Sequence, residues 1–449
     1  VAQPTVAQPT VAQPTVPQPT VPPAPIQQAA QKIEAKQPQA PEIITIGSLM
    51  DLSRSEITVG ETVKKVLESY FDMTNKRKIL GSRSIKLVIL DDEYTENLAQ
   101  KNVDTLIKEH NVHILLCPVG SHTIKSYLDK IEKGDVTVLF PIAETPLFKS
   151  SKYKHFIHFS ASSLETGHGI TDYILKTFKP TKIAACYQTS SDRIENGIIA
   201  ATRKADFKNL LLIPINLAEF SLTEQANIVK KEQPQAVILA GGTFATLSFV
   251  RLLDPSYFKN NHLASAVSFL NVSNIKNYMK KNNIKFLCPS LVPNPDKSEL
   301  PIIKEFLDFA KHSSIEVGSL ALQVYVSARI FTDIIKKIDG PVTQDNVIKT
   351  AQSFKNYDLG GLPLNFDPNT RRLINTFWID NATDTWVPVQ LDQPIEELST
   401  TTTTPTKLLV GSTIDLTRGV KSMGDSIKGV MDHVFEQFNQ NNELKNLSL

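Results

Sequence analysis

Between residues 43 and 392, short apolar runs alternate with longer stretches whose apolar positions recur at helical spacing. Ile43–Leu49, Ile85–Leu90, Val112–Cys117 and Val136–Phe140 are rich in Ile, Val and Leu and carry no polar alternation. Unbroken runs of that length suit strands buried on both faces. Between them, 58–75, 96–110 and 121–133 read as amphipathic helices, the first with Val59, Val63, Val66, Leu67, Tyr70 and Phe71 on one face. After a gap the rhythm returns, with strands expected near 181–187, 209–213, 236–239, 263–268 and 284–289. A long pattern from Ile315 to Ile338 predicts one further helix. Two blocks of βα alternation predict two parallel sheets covered by helices, hence an α/β protein of two lobes. Ligands of such sheets bind beyond the carboxyl ends of the strands. Those ends are Ser48–Ser53, Pro118–Ser121, Pro141–Thr145, Tyr187–Asp192 and Gly241–Phe244.

The flanks follow other rules. Residues 1–42 open with three Val-Ala-Gln-Pro-Thr pentamers that decay into Val21-Pro-Pro-Ala-Pro25. Regular proline fixes φ and removes backbone donors, so this segment is expected to be an extended, disordered spacer without a core. Residues 393–406, with threonines 400–404 closed by Pro405, read as an exposed linker. Beyond it the chain repeats itself. Shifted by 364 residues, positions 47–75 match 411–439 at ten of 29 places, including Asp51 with Asp415, Gly60 with Gly424 and Phe71 with Phe435. Residues 407–449 are therefore expected to be the truncated start of a second copy of the module.

Charge and chemistry narrow the function. Lys and Arg number 48 against 46 Asp and Glu, a formal net charge of +2, which argues against a nucleic-acid binder. No apolar run reaches the roughly 20 residues that a membrane-spanning helix needs. Cys117, Cys186 and Cys288 are too far apart for a zinc spacing, and Cys117 and Cys288, each followed by Pro at a strand end, read as small buried hydrophobes. Phosphate-cradling, nucleophile-elbow and zinc-protease motifs are missing, so no catalysis, cofactor or metal is expected. His155 and His158 would face opposite sides of a strand, a poor start for a metal site. Asp91 and Asp92 are expected to cap the following helix and accept hinge hydrogen bonds rather than perform acid–base chemistry.

Four stretches, in order, carry a family resemblance. Ile46-Gly-Ser-Leu-Met-Asp-Leu-Ser53 looks like an opening strand with its ligand-facing turn, and Leu80–Asp92 like the strand that follows the first helix. Phe140-Pro-Ile-Ala-Glu-Thr-Pro146 looks like the family's Ser-Pro-x-Ala-Thr-x-Pro turn, and Gly360–Asn369 like its closing hairpin. The block resembles the type I periplasmic binding proteins, in particular the branched-chain amino-acid-binding receptors. The resemblance implies two Rossmann-like lobes joined by a three-stranded hinge and closing on a small molecule. Lobe I would comprise about 43–160 and 293–375, and lobe II about 161–292 and 376–392.

It also implies a site. In the family, backbone N–H groups and a hydroxyl after the third and fourth strands hold the ligand carboxylate; by position these are Gly120, Ser121 and His122, then Ala143, Glu144 and Thr145. Ser53 completes that wall, and Tyr187, Asp192, Gly242 and Thr243 stand at the facing strand ends of the second lobe. Two departures bear on the ligand. Glu144 replaces a threonine, and Gly241-Gly-Thr-Phe244 stands where an acidic partner for the ligand ammonium is expected. Glu144 either lines the cleft and favours a cationic or neutral polar ligand, or turns away to cap a helix or pair with a lysine.

The resemblance implies a solute-binding receptor outside the cytoplasm, in the periplasm or cell envelope. It would bind an amino acid, amide or similar solute and act with a membrane transporter or envelope protein. The alternative is a ligand-independent envelope scaffold, for example a regulator of cell-wall synthesis, which the spacer and the tandem arrangement suit.

Overall fold

The computed structural model describes residues 42–188, 193–215, 222–268, 273–383 and 385–391, with Ile395 and two short paired strands at Thr406–Lys407 and Leu447–Ser448. The expected spacer, most of the Thr-rich linker and nearly all of the second copy lie outside these residues.

The first sheet is parallel throughout. Its strands are β1 (Glu42–Met50), β2 (Arg83–Asp91), β3 (Ile114–Leu116), β4 (Thr137–Leu139) and β5 (Phe156–Ile157), in the order β2-β1-β3-β4-β5. The connecting helices are α1 (Ile57–Lys76), α2 (Glu96–His110), α3 (Ser121–Lys125) and α4 (Leu128–Lys133). The single helix expected over 121–133 is thus two short ones. Tyr127, wholly buried in this lobe, leaves helical geometry at φ −119°, ψ 24°. Sinking that ring into the core turns the chain inward and interrupts the helical ladder.

The second sheet takes over after β5. Its helices and strands alternate as α5 (Ser163–Phe178), β6 (Ile183–Gln188), α6 (Ile194–Lys204), β7 (Leu210–Ile215), α7 (Thr223–Glu232), β8 (Ala236–Ala240), α8 (Thr243–Leu253), β9 (His262–Ser265), α9 (Ser273–Lys281) and β10 (Phe286–Ser290). The chain then returns to the first lobe as α10 (Pro301–His312), α11 (Ser319–Lys337) and α12 (Gln344–Gln352). Tyr70 of α1 packs edge-on against Tyr325 of α11 at 5.4 Å, and Phe71 against Phe331 at 6.1 Å. These contacts fix the long helix to the first lobe.

A hairpin of β11 (Tyr357–Leu359) and β12 (Leu362–Leu364) turns on Gly360 and Gly361, both at positive φ. The chain crosses once more into β13 (Thr376–Asp380) and β14 (Val387–Gln390), which complete the order β14-β13-β10-β9-β8-β6-β7. Only β13 is reversed, pairing antiparallel with both β10 and β14. Three crossings therefore join the lobes. Two of them lie side by side: Leu373 N donates to His158 O at 3.2 Å and Ile374 N to Phe159 O at 2.9 Å.

Candidate functional site

In lobe I the strand ends are wired by side chains to their own backbone. Asp51, wholly buried, accepts from Ser53 N at 3.0 Å, Arg54 N at 2.7 Å and Glu56 N at 2.7 Å. Gly60 completes that turn, because a Cβ there would sit 1.9 Å from the Asp51 carbonyl oxygen. Ser53 itself is exposed at the turn. Asp91 accepts from Leu52 N at 3.0 Å and Glu93 N at 2.9 Å, and Asp92 from Tyr94 N at 3.0 Å.

The Asp91–Asp92 carboxylates therefore do not cap α2, whose N-cap is Thr95, its hydroxyl donating back to Asp92 O at 3.1 Å. Both carboxylates instead meet amides nearer at hand, in the turns beside β1 and β2. Burial pushes the Asp92 carboxyl up to about 6, with the Asp51 and Asp91 charges adding to it, and its Oδ2 has no hydrogen-bond partner.

The next two turns lie against each other. Val119 bridges Ile142, Gly120 N donates to Ile142 O at 3.1 Å, and Ile142 N donates to Pro118 O at 2.8 Å. Gly120 adopts φ +102°, with the Tyr94 ring and the Thr123 hydroxyl where a Cβ would project. Ser121, half-buried, opens α3. His122 packs edge-on against Tyr94 at 4.2 Å, and its Nε2 lies 3.0 Å from the Tyr94 carbonyl oxygen. On the adjoining turn Ala143 is half-buried against the lobe core, and Thr145 is buried, its Oγ1 accepting from Leu147 N at 3.3 Å.

Glu144 reaches the other lobe. Its backbone carbonyl accepts from Ser163 N at 2.7 Å, at the start of α5, and its carboxylate accepts from the Ser268 hydroxyl in the turn after β9. Of the other lobe II residues expected in the site, Tyr187 is half-buried at the end of β6, where burial and the Glu195 charge raise its phenol. Gly242 is exposed before α8 with open space around its Cα, and Thr243 begins that helix. Asp192 lies outside the described residues. Cys117, Cys186 and Cys288 are free and buried, and burial raises their thiols.

Behind Glu144 runs a row of alternating charge that sequence reasoning missed. Lys149 donates to Ser160 O and is held down to about 8 by burial, against which Glu165 and Glu144 act. Glu165 forms the capping box of α5 with Ser162 and pairs with Arg372, which lies between β12 and β13. Burial alone would raise the Glu165 carboxyl, but Arg372, Lys149 and the Ser162 bonds bring it below its ordinary value. Arg372 also donates to Asn375 Oδ1 at 2.7 Å and Leu391 O at 2.8 Å. The partners are 207 residues apart in sequence, too far for any local pattern to join them. Ser163 and Ser268 were likewise unmarked, each being an ordinary serine near a strand or helix end.

Two sheets joined by three crossings, with facing strand ends bridged by Glu144 and Ser268, define a two-lobed α/β binding-protein architecture. Residues 43–384 match the family model described as periplasmic binding protein, and the chain belongs to that family. A comparison with curated protein sequences finds no match.

Solved structures share the fold. A protein from Rhodopirellula baltica SH 1 described as a possible leucine/isoleucine/valine-binding protein is 21% identical, with a TM-score of 0.69 over 81% of this chain and 100% of that one. A branched-chain amino acid ABC transporter protein from Thermus thermophilus with bound valine is 13% identical, TM-score 0.68, over 78% and 96%. A fatty acid ABC transporter substrate-binding protein from Thermomonospora curvata is 19% identical, TM-score 0.64, over 79% and 94%.

Proposed function

We propose that this chain is a non-catalytic solute-binding receptor that works outside the cytoplasm and captures a small polar molecule between its lobes. The observation that carries the reading is the meeting of Glu144 with Ser268, which places strand-end turns of the two lobes within hydrogen-bonding reach of each other. The ligand site would comprise Ser53, Gly120, Ser121, His122, Ala143, Glu144 and Thr145 on one wall. Tyr187, Asp192, Gly242 and Thr243 would face them. A ligand that contacts both walls binds the closed state better and so draws the lobes together. A membrane transporter that reads the closed state is the natural partner, a reading supported by structural neighbours described as ABC transporter proteins.

A second reading is a ligand-independent envelope scaffold. The same observation favours it, because the lobes already bond one another directly through Glu144 and Ser268.

Thermal unfolding separates the two. Residues 43–392 are screened against amino acids, amides, fatty acids and small peptides, alongside Glu144→Thr. A receptor at 100 times its dissociation constant gains about 2.7 kcal/mol. A cationic or amide ligand lost on Glu144→Thr places the carboxylate in the site. A tight aliphatic ligand unaffected by the change removes Glu144 from it. Unchanged melting with every solute rejects the receptor in favour of the scaffold.

A further inference from the structure

The end of lobe II farthest from the cleft carries a concentration of positive charge that the overall balance conceals. Strands β6 to β10 run parallel, so their starts and the ends of the helices that precede them share one edge of the lobe. Three of those helices end in an exposed basic doublet: Arg203-Lys204 on α6, Lys230-Lys231 on α7 and Lys280-Lys281 on α9. Exposed Lys208, Lys259 and Lys285 follow in the turns that lead into β7, β9 and β10.

Some of these groups act on shared neighbours. His168 lies within the fields of both Lys204 and Lys176, and Asp254 within those of Lys230 and Lys259. Lys285 acts on His262 at the start of β9.

Basic residues at helix C-termini have an ordinary explanation, since they offset the helix dipole. Lobe I shows what that explanation looks like alone. There Lys76 pairs with Asp72 at 2.7 Å, Lys108 with Asp104 at 3.6 Å and Lys133 with Asp129 at 3.4 Å, each one turn apart. In lobe II, Lys176 and Lys208 pair with Asp172 and Asp206, and Lys182 with Glu232. Among the described residues, none of the six doublet side chains forms an ion pair. These six groups are thus exposed and without ion pairs, whereas in lobe I the doublet that closes α11, Lys336-Lys337, lies against Asp333 and the Tyr357 ring.

We propose that this end of lobe II is a docking surface for an anionic lipid bilayer. The charges are spread along the edge of a five-strand parallel sheet instead of lining a groove, which suits a plane of headgroups. All but one of the doublet and turn groups are lysines, compact point charges that need no fixed bidentate partner. Nearby aromatic rings are engaged internally: Phe178 stacks on His262 at 3.7 Å, and the Tyr257 hydroxyl donates to Pro234 O at 2.8 Å.

The test is co-sedimentation of the full chain with vesicles of phosphatidylglycerol and phosphatidylcholine mixed, or of phosphatidylcholine alone. The arms are wild type, a quadruple reversal (Arg203→Glu, Lys204→Glu, Lys230→Glu, Lys231→Glu) and a lobe I control (Lys101→Glu, Lys125→Glu). Circular dichroism confirms that each is folded. Each lysine at an anionic surface contributes roughly fivefold to binding, so the quadruple variant falls more than 100-fold while the control stays within about tenfold. Wild-type binding vanishes near 1 M salt, where the screening length is about 3 Å, and is absent on neutral vesicles. An equal per-charge loss in the control, or no wild-type binding to anionic vesicles at low salt, overturns the proposal. So does doublet-dependent binding to soluble polyphosphate or nucleic acid without vesicle binding, which would assign the surface to a soluble polyanion.

Discussion

The two walls of the cleft are built on different terms. Lobe I holds its turns rigidly: Asp51 gathers three amides, Asp91 two, and Gly120 sits where no side chain fits. In lobe II, Gly242 has open space where a Cβ would project, and Ser163 and Ser268 both bond Glu144 of the facing wall. One wall is organised by buried carboxylates and the described part of the other by hydroxyls: Val267 N donates to the Ser265 hydroxyl at 2.9 Å and the Thr166 hydroxyl to Ala266 O at 2.9 Å. Carboxylates that gather several amides at once hold a turn by charge-assisted bonds, whereas hydroxyls hold it by weaker neutral ones.

The sharpest way to break this contrast is at the joint that both walls share. Arg372→Met leaves Glu165 buried without its main partner and should cost about 3–5 kcal/mol, read as a loss of urea midpoint. Within lobe I, Asp51→Ala strips the acceptor from three amides, and about 2–4 kcal/mol should be lost. If chemical denaturation finds Asp51→Ala no worse than a surface change, the lobe I wall is not preorganised by that residue.

Asp92 gives the contrast a pH signature. Its folded carboxyl is raised to about 6 from an unfolded value near 3.8, so the neutral form is the better tolerated one. The stability it contributes is full below about pH 4 and is lost as pH rises through 6, at most about 3 kcal/mol. Asp92→Asn should therefore stabilise the protein at pH 8 and have little effect at pH 4, measured by melting at both. A smaller gain at pH 8 than at pH 4 would reverse the sign and refute the argument. The mildest comparison sets glycines of the two walls side by side. Gly120→Ala should cost about 1–3 kcal/mol through its positive φ and the Tyr94 contact, while Gly242→Ala should stay within about 0.5 kcal/mol.

How far the sequence revealed this molecule follows from the range of the interactions concerned. The βα rhythm needs only neighbours within a strand or a helical turn, and α2 lies over the residues its apolar spacing predicted. The break at Tyr127 was hidden because helical spacing continues across it, and only tertiary burial interrupts the ladder. For Asp91 and Asp92, position between strand and helix suggested a cap, whereas turn amides lie closer. The turn at Ala143–Thr145 could be located by its motif, but the serine that Glu144 meets is 124 residues away. Charge polarity was invisible for another reason. A net +2 averages a balanced lobe with a basic one, and only the topology shows which ends come together.

The order of strands in the second sheet has a bearing on how the protein is made. β10, buried at every position, pairs with β13, whose residues follow only after three helices and a hairpin have been synthesised. Until Thr376–Asp380 emerges, that apolar strand presents an open edge, and lobe II cannot finish folding ahead of the chain's return. Completion of the domain thus waits on translation, and until β13 is made the open edge of β10 is a place where another copy's strand could pair.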